Sequence, residues 1–451
     1  MEREKLGSRL GFIMLSAGCA IGVGNVWKFP YMVGENGGGA FVLLYLFFLL
    51  ILGIPVLTIE FSIGRAAQKS PVRLYSVLAP KKSKWFLHGY VAMAGNYLLM
   101  MFYTVVTGWM LYYFLSTAAG NFTAMDTAQV SSAFGELCQD PTRMVLYMAA
   151  AVLIGFFVCS FGLQKGVERI TKIMMIALLV IMIVLAVHSF TMPGANEGLS
   201  FYLKPDFSKI NGNVIVGAMN QAFFTLSIGM GSMAIFGSYI DKTHSLLGES
   251  INVVVLDTFV AIVSGLIIFP ACFTYGVTPN AGPSLIFETL PNIFNNMPLG
   301  RLWGSLFFLF MSFAAFSTVL AVFENILSCF MDLTKMSRKK ACLINCAALI
   351  VLSLPCALGF NLLSNIHPFG GTSGIMDLED FLVSNIILPL GSLVYVLFCV
   401  TKRGWGWDNF IAEANAGKGL KIKKWMRGYM TYVLPLIIIV IFVIGMISFF
   451  S

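Results

Sequence analysis

Charged residues are scarce in this sequence. Lys, Arg, Asp and Glu make up 11% of the 451 residues, whereas 58% are hydrophobic and the mean hydropathy is +0.84. Ordinary soluble domains carry about 25% charged residues. A soluble fold cannot hide this much apolar surface from water, so lipid is the expected solvent. The composition predicts a single domain of membrane helices over residues 1–451.

Sequence patterns of nucleotide binding, metal binding and catalysis are also missing. The chain has no GxxxxGK[ST] phosphate loop, so ATP is not expected as an energy source. Its nine cysteines form no CxxC pair, and its four histidines have no metal-ligand spacing or Ser-His-Asp context. Basic clusters interleaved with aromatics on a polar scaffold are absent, so nucleic acid is not an expected partner. These absences argue against an enzyme.

Eleven apolar stretches are long enough to cross a membrane, which takes about 20 residues of helix. They are 9–33, 40–66, 86–117, 142–161, 166–190, 214–239, 247–277, 301–331, 339–360, 379–401 and 428–450. The stretch 282–296 is too short and too polar to span, and we expect a helical loop there.

The loops predict the orientation. With the N-terminus in the cytoplasm, 24 of the 29 Lys and Arg residues fall in cytoplasmic segments and four fall outside, while Lys28 lies within a span. Basic residues accumulate on the cytoplasmic side of membrane proteins. The sequence therefore predicts a multi-pass protein of the cell membrane with an extracellular C-terminus.

Glycines interrupt two of the predicted spans. The first contains Gly18, Gly22 and Gly24, and the sixth contains Gly229 and Gly231. Close helix packing through a GxxxG pair is the alternative reading of the first group. Breaks five helices apart lie in halves of opposite orientation, and such breaks indicate a transport site between inverted repeats.

Four ionisable residues lie inside apolar spans: Lys28, Glu60, Asp257 and Glu324. Each costs at least about 2.5–3.5 kcal/mol at mid-membrane, so a function is the first hypothesis and a structural ion pair the second. The span around Asp257 contains no Lys or Arg. A cation from outside the chain would suit this carboxylate.

Four motifs carry a resemblance to a known family. They are GCAIGVGNVWKFPY at 18–31, ENGGGAF at 35–41, GIP at 53–55 and EFSIGR at 60–65. The sequence resembles the neurotransmitter:sodium symporters, and most of all the eleven-helix bacterial branch of multi-hydrophobic and tyrosine amino-acid transporters.

The resemblance implies an all-α membrane protein with a LeuT-like five-plus-five inverted repeat. Helices 1 and 6 would be broken, repeat one would cover about 9–190, repeat two about 214–401, and an extra helix about 428–450. The implied activity is chloride-independent, sodium-coupled import of hydrophobic or aromatic L-amino acids by alternating access. The oligomeric state is open.

The resemblance also implies two sodium sites. The first would use the Ala20 carbonyl, Asn25, Thr225, Asp257 and the substrate carboxylate. The second would use the carbonyls of Gly18, Ile21 and Ala314 and the hydroxyls of Ser317 and Thr318.

Substrate-binding and gating positions follow from the same resemblance. The substrate residues would be Ala20, Gly22, Gly24, Leu99, Tyr103, Phe224, Thr225, Ser227, Gly229, Met230, Ala321 and Val322. Lys28 with Asp380 would form an outer gate. Arg3 with Asp332 would form an inner gate, near Tyr239 and Glu324.

Two positions depart from the family pattern. Leu6 replaces a tryptophan near the inner gate, and Ile176 replaces a proline that lets helix 5 unwind. Two alternatives stay open, a proton-coupled amino-acid carrier of the same fold and a receptor that only binds amino acids.

Overall fold

The computed structural model describes residues 4–123, 125–276 and 285–450. Helices make up the architecture of these residues. No strand occurs within them, and a single bridge joins His244 to Lys418.

Eleven helices follow the eleven predicted spans. In chain order they are α1 (Arg9–Ala20 and Gly24–Glu35), α2 (Gly39–Ala67), α3 (Phe86–Ala119), α4 (Pro141–Ser160), α5 (Leu163–Ser189), α6 (Gly212–Thr225 and Ser232–Gly237), α7 (Leu246–Thr274), α8 (Gly300–Thr334), α9 (Arg338–Leu358), α10 (Ile375–Val400) and α11 (Met426–Ile447). Nine are continuous and apolar enough to cross a membrane, and α1 and α6 are each interrupted. The all-α membrane fold expected from the sequence is confirmed.

The break in α1 lies where the glycines cluster. Its two halves meet at an angle of 51°. Ile21, which follows the first half, has an extended backbone with φ −73° and ψ 97°. Three glycines in seven residues weaken the helix here, and the freed backbone groups need partners in the absence of water. Side chains of α8 supply several of them.

The break in α6 covers residues 226–231. Ser227, Gly229 and Gly231 have φ values of 50°, 99° and 74°. Glycine adopts this left-handed region without the steric cost that a side chain brings. At Gly229 a Cβ would also lie 2.3 Å from the Leu388 carbonyl oxygen, so α10 approaches the break too closely for any larger residue.

Long helices hold these two breaks in place. The 35-residue α8 is buried along much of its length and packs against α3, and the first half of α1 packs against α8. Serine and threonine of α8 therefore face the broken part of α1. The repeat boundaries 9–190 and 214–401 stay a prediction.

Two smaller expectations concern the connections. In the described part of the stretch 282–296, short helical turns run over Leu285–Thr289 and Leu290–Asn296, in agreement with the predicted helical loop.

α5 continues as a helix through Ile176, whose side chain is 48% exposed on the outside of the bundle. α5 therefore shows no unwinding at this departure from the family pattern.

Candidate substrate and sodium site

A small cavity lies between the two breaks, enclosed by α3, α8 and α10. Eight of the predicted substrate residues line it: Ala20, Gly22, Gly24, Leu99, Tyr103, Phe224, Ser227 and Met230. Cys19, Thr318 and Leu388 line it as well. The lining is mainly apolar, and its polar groups come from backbone, hydroxyl and thiol groups.

Four other predicted substrate residues are buried nearby without lining this cavity. Thr225 faces α7, where its hydroxyl contacts the Asp257 carboxylate. The Gly229 amide donates to the buried carboxylate of Glu60 on α2. Ala321 and Val322 are fully buried in α8.

The Tyr103 hydroxyl closes one end of the cavity. It accepts a hydrogen bond of 2.8 Å from the Val23 amide, in the break of α1. A Cβ at Gly22 would lie 2.3 Å from both this hydroxyl and the Thr318 hydroxyl. Any side chain at position 22 would therefore displace the polar groups that meet here.

The five residues predicted for the second sodium site lie together. The Ser317 hydroxyl lies 2.9 Å from the Ile21 carbonyl oxygen and 2.8 Å from that of Ala314. The Thr318 hydroxyl lies 3.4 Å from the Gly18 carbonyl oxygen. All five atoms predicted to bind this sodium are oxygens, which suits a hard cation. The Gly18 and Ile21 carbonyls lie at the negative end of the first half of α1.

Three side chains predicted for the first sodium site also meet. The Asn25 amide donates to Oδ1 of Asp257 over 2.8 Å, and the Thr225 hydroxyl donates to the same carboxylate over 3.2 Å. The Tyr45 hydroxyl, which sequence reasoning missed, is 3.4 Å from Oδ2. Ala20 ends the adjoining half of α1. Asp257 is fully buried and takes part in none of the salt bridges between described residues.

Lys28 and Asp380, the two residues predicted for the outer gate, form an ion pair. The Lys28 ammonium lies 3.0 Å from both oxygens of Asp380 and 4.0 Å from the centre of the Phe224 ring. The Ser384 hydroxyl donates to Asp380 over 2.6 Å. Because Phe224 also lines the substrate cavity, this ion pair lies directly over one side of it.

The opposite end of the bundle contains a second ion pair that sequence reasoning missed. The guanidinium of Arg338, at the start of α9, lies 2.7 Å from the buried Glu324 carboxylate. The Tyr239 hydroxyl donates to the same carboxylate over 2.8 Å. Asp332 accepts a hydrogen bond from the Ser70 amide, and its predicted partner Arg3 lies outside the described residues.

Comparison with known proteins assigns the family. A model described as the sodium:neurotransmitter symporter family matches residues 3–129 and 118–451. The chain belongs to this family. It is a sodium-dependent transporter rather than an enzyme.

Relatives of this symporter include bacterial, archaeal and animal proteins. The chain is 36% identical to YhdH of Bacillus subtilis, an uncharacterized sodium-dependent transporter, over 98% of each chain. It is 25% identical to the sodium- and chloride-dependent taurine transporter of Rattus norvegicus, over 99% of this chain and 79% of that one. Among solved structures, MhsT in complex with L-phenylalanine matches with a TM-score of 0.90 and 36% identity, over 98% of this chain and 99% of MhsT.

The site residues of this symporter that sequence reasoning missed gave no clear signal. Cys19 and Leu388 are a small and an apolar residue among many, and only their placement at the breaks brings them to the cavity. Arg338 counted as one of the basic residues of a loop, although its side chain is only 14% exposed. The position of Glu324 inside an apolar span could have predicted a basic partner, because a buried carboxylate needs one.

Proposed function

We propose that this symporter imports hydrophobic and aromatic L-amino acids together with sodium, by alternating access and without chloride. Sodium dependence is a property of the family, whereas the substrate, the two sodium sites, the chloride independence and the orientation are parts of the proposal. The N-terminus would be cytoplasmic and the C-terminus extracellular, as the distribution of Lys and Arg favours.

The absence of a side chain at Gly22, opposite Tyr103, carries the substrate assignment. A carboxylate at position 22 could pair with the ammonium of a decarboxylated amine, but a side chain there meets two hydroxyls at 2.3 Å. The substrate must then supply its own carboxylate. Nearby amides at the break of α1 and the Tyr103 hydroxyl are donors suited to that group.

The rest of the cavity supports an apolar side chain. Leu99, Phe224, Met230 and Leu388 line it, and the flexible Met230 thioether adapts to different shapes. Charged side chains would lose their hydration there without gaining a partner. MhsT, which shares 36% of its sequence with this chain, forms a complex with L-phenylalanine.

Coupling follows from shared ligands. In the proposed first site the substrate carboxylate completes the shell formed by Ala20, Asn25, Thr225 and Asp257. Each ligand then supplies part of the other's site, so each raises the other's affinity by the same factor. The proposed second site joins α1 to α8, and its occupancy would fix these two helices in one relative position.

Chloride independence rests on Asp257 and Ala261. Two sodium ions in a dry site need compensating negative charge, because an unpaired buried charge is very costly. The substrate carboxylate supplies one negative charge and Asp257 the second. Ala261, one turn further along α7 and also fully buried, has no group to donate to an anion.

Competition in proteoliposomes tests the substrate assignment. Each of the twenty amino acids and the amine phenethylamine would be tested as a competitor of labelled L-phenylalanine in sodium-driven uptake. We expect hydrophobic and aromatic amino acids to compete and charged ones and the amine to fail. Uptake that persists in sodium-free buffer and follows pH would instead support a proton-coupled carrier, and binding without counterflow would support a receptor.

A further inference from the structure

A strongly basic segment, residues 418–427, leads into the start of α11. No Asp or Glu occurs after Glu413 in the sequence. Within the part of the chain that the structure describes, the basic side chains of this segment are exposed and form no salt bridge. They are Lys418, Lys421, Lys423, Lys424 and Arg427.

The position of this basic segment matches a membrane surface. α11 begins at Met426 and is strongly apolar, so the segment lies at one end of a membrane span. Trp425 and Leu420 are 70% and 58% exposed. Tryptophan is enriched at the level of the lipid headgroups, and clusters of Lys and Arg next to a span attract anionic lipids.

The segment has a defined shape. The Asn415 side chain accepts a hydrogen bond of 2.7 Å from the Ile422 amide and donates one of 3.0 Å to the Ile422 carbonyl. Ile422 itself is 5% exposed. Lys421, Lys423 and Lys424 therefore flank a buried anchor, and their ammonium groups are presented from a fixed backbone.

Backbone hydrogen bonds attach the segment to the connection between α6 and α7. The Lys418 amide donates to the Thr243 carbonyl and the Ser245 amide donates to the Lys418 carbonyl, each over 2.9 Å. The Ser245 hydroxyl donates to the Leu420 carbonyl over 2.6 Å. Residues 243–245 and 418–420 thus behave as one unit.

Ion pairs to the buried Glu413 carboxylate make a second attachment. Glu413 accepts from the Nε of Arg65, at the end of α2, and from the Nζ of Lys242, in the α6–α7 connection, each over 2.7 Å. The side chain of Arg65 is fully buried. Removing one partner of a buried ion pair leaves the other charge uncompensated, so this junction resists separation. The basic segment is held to α2, α6 and α7 together.

We propose that residues 418–427 bind anionic phospholipid headgroups of the cytoplasmic leaflet, and that this contact sets the rate of transport through the attachments of the segment to α2, α6 and α7. The inference rests on the orientation under the proposed function. Each lysine near an anionic surface raises affinity about fivefold. The attraction acts over a Debye length of about 8 Å at physiological salt, so only groups at the membrane surface contribute.

The test compares two triple variants with equal loss of charge. The first is Lys421→Gln/Lys423→Gln/Lys424→Gln. The matched control is Lys81→Gln/Lys82→Gln/Lys84→Gln, in the exposed α2–α3 connection on the same end of the bundle. Native mass spectrometry measures retained phosphatidylglycerol. Uptake is measured in phosphatidylcholine vesicles with and without about one third phosphatidylglycerol.

We expect phosphatidylglycerol to speed wild-type uptake several-fold. The first variant should lose this acceleration and most of the retained lipid, and the control should keep both. Sodium-dependent substrate binding in detergent should be equal in all three proteins, which verifies that they are folded.

Three results would overturn the proposal. The wild type could be insensitive to phosphatidylglycerol, both variants could lose the effect equally, or the first variant could lose the lipid while its uptake stays lipid-dependent. Failure of the proposed function is distinguishable, because a protein without sodium-driven amino-acid uptake in any vesicle can still be scored for lipid retention.

Discussion

The Asn25 amide donates a hydrogen bond of 2.8 Å to the Asp257 carboxylate, and it thereby joins the start of the second half of α1 to α7. Asp257 is fully buried. In the proposed mechanism this carboxylate supplies the negative charge that compensates the bound sodium ions, as a chloride ion would in chloride-dependent transport.

Replacement of Asp257 tests this role. Asp257→Asn removes the negative charge while keeping a similar shape, so we expect sodium affinity to fall at least about tenfold. The loss should be the same with chloride or with gluconate, because Ala261 offers no donor to an anion. Sodium titration of substrate binding measures it. In Asp257→Asn/Ala261→Ser, we expect chloride to restore part of the affinity. If chloride restored sodium affinity in Asp257→Asn alone, without the second substitution, this account would be contradicted.

Tyr103→Phe tests the substrate carboxylate contact. A hydrogen bond to a charged group contributes about 1.5–3 kcal/mol, so we expect substrate affinity to fall tenfold or more while folding is retained. Tyr97→Phe is the matched control on the same helix, because its hydroxyl contacts Asn345 on α9 instead. Equilibrium binding of labelled phenylalanine measures both. Equal affinity in wild type and Tyr103→Phe would assign Tyr103 to packing.

Gly22→Ala tests the close approach at the break. The added Cβ meets the Tyr103 and Thr318 hydroxyls at 2.3 Å, so we expect substrate binding to fall more than tenfold. Gly428→Ala adds the same methyl group where nothing lies within 4 Å, and it should bind normally. If Gly22→Ala binds phenylalanine as the wild type does, the geometry around position 22 does not define the substrate site.

Ser317→Ala tests the proposed second sodium site. Its hydroxyl reaches the Ile21 carbonyl across the α1–α8 contact, and loss of one oxygen ligand should lower sodium affinity about tenfold. Ser312→Ala, also on α8, is the control, because the Ser312 hydroxyl bonds to Phe308 of its own helix. Sodium-dependent binding of substrate distinguishes them. An equal, small effect in both variants would remove Ser317 from the sodium site.

Much of the fold could be predicted from the sequence because its signals are local. The apolar spans come from hydropathy, and the breaks come from glycine clusters at 18–24 and 229–231. The break in α6 is nonetheless longer than glycine alone requires. Ser227, a non-glycine residue, adopts φ 50°, which depends on packing that no local pattern encodes.

The site was predictable where a motif fixed the residue and less so where contact crosses helices. Asp257 stood out as a charged group inside an apolar span, whereas Ser317 and Thr318 were predicted only through the family resemblance. Leu388 and Tyr45 did not stand out, because Leu388 reaches the cavity through the approach of α10 and Tyr45 reaches Asp257 through the packing of α2 near α7. The Arg338–Glu324 pair joins α9 to α8, and the local sequence around either residue does not predict its partner.

Uptake of labelled L-phenylalanine into proteoliposomes tests the central claim most directly. Wild-type protein would be reconstituted with potassium gluconate on both sides, and sodium gluconate would be added outside only, so that an inward sodium gradient is imposed in the absence of chloride and of an outward potassium gradient. The account predicts accumulation above the external concentration, which stops when the sodium gradient is dissipated by an ionophore. Equal uptake without sodium, or no accumulation until chloride is added, would contradict it.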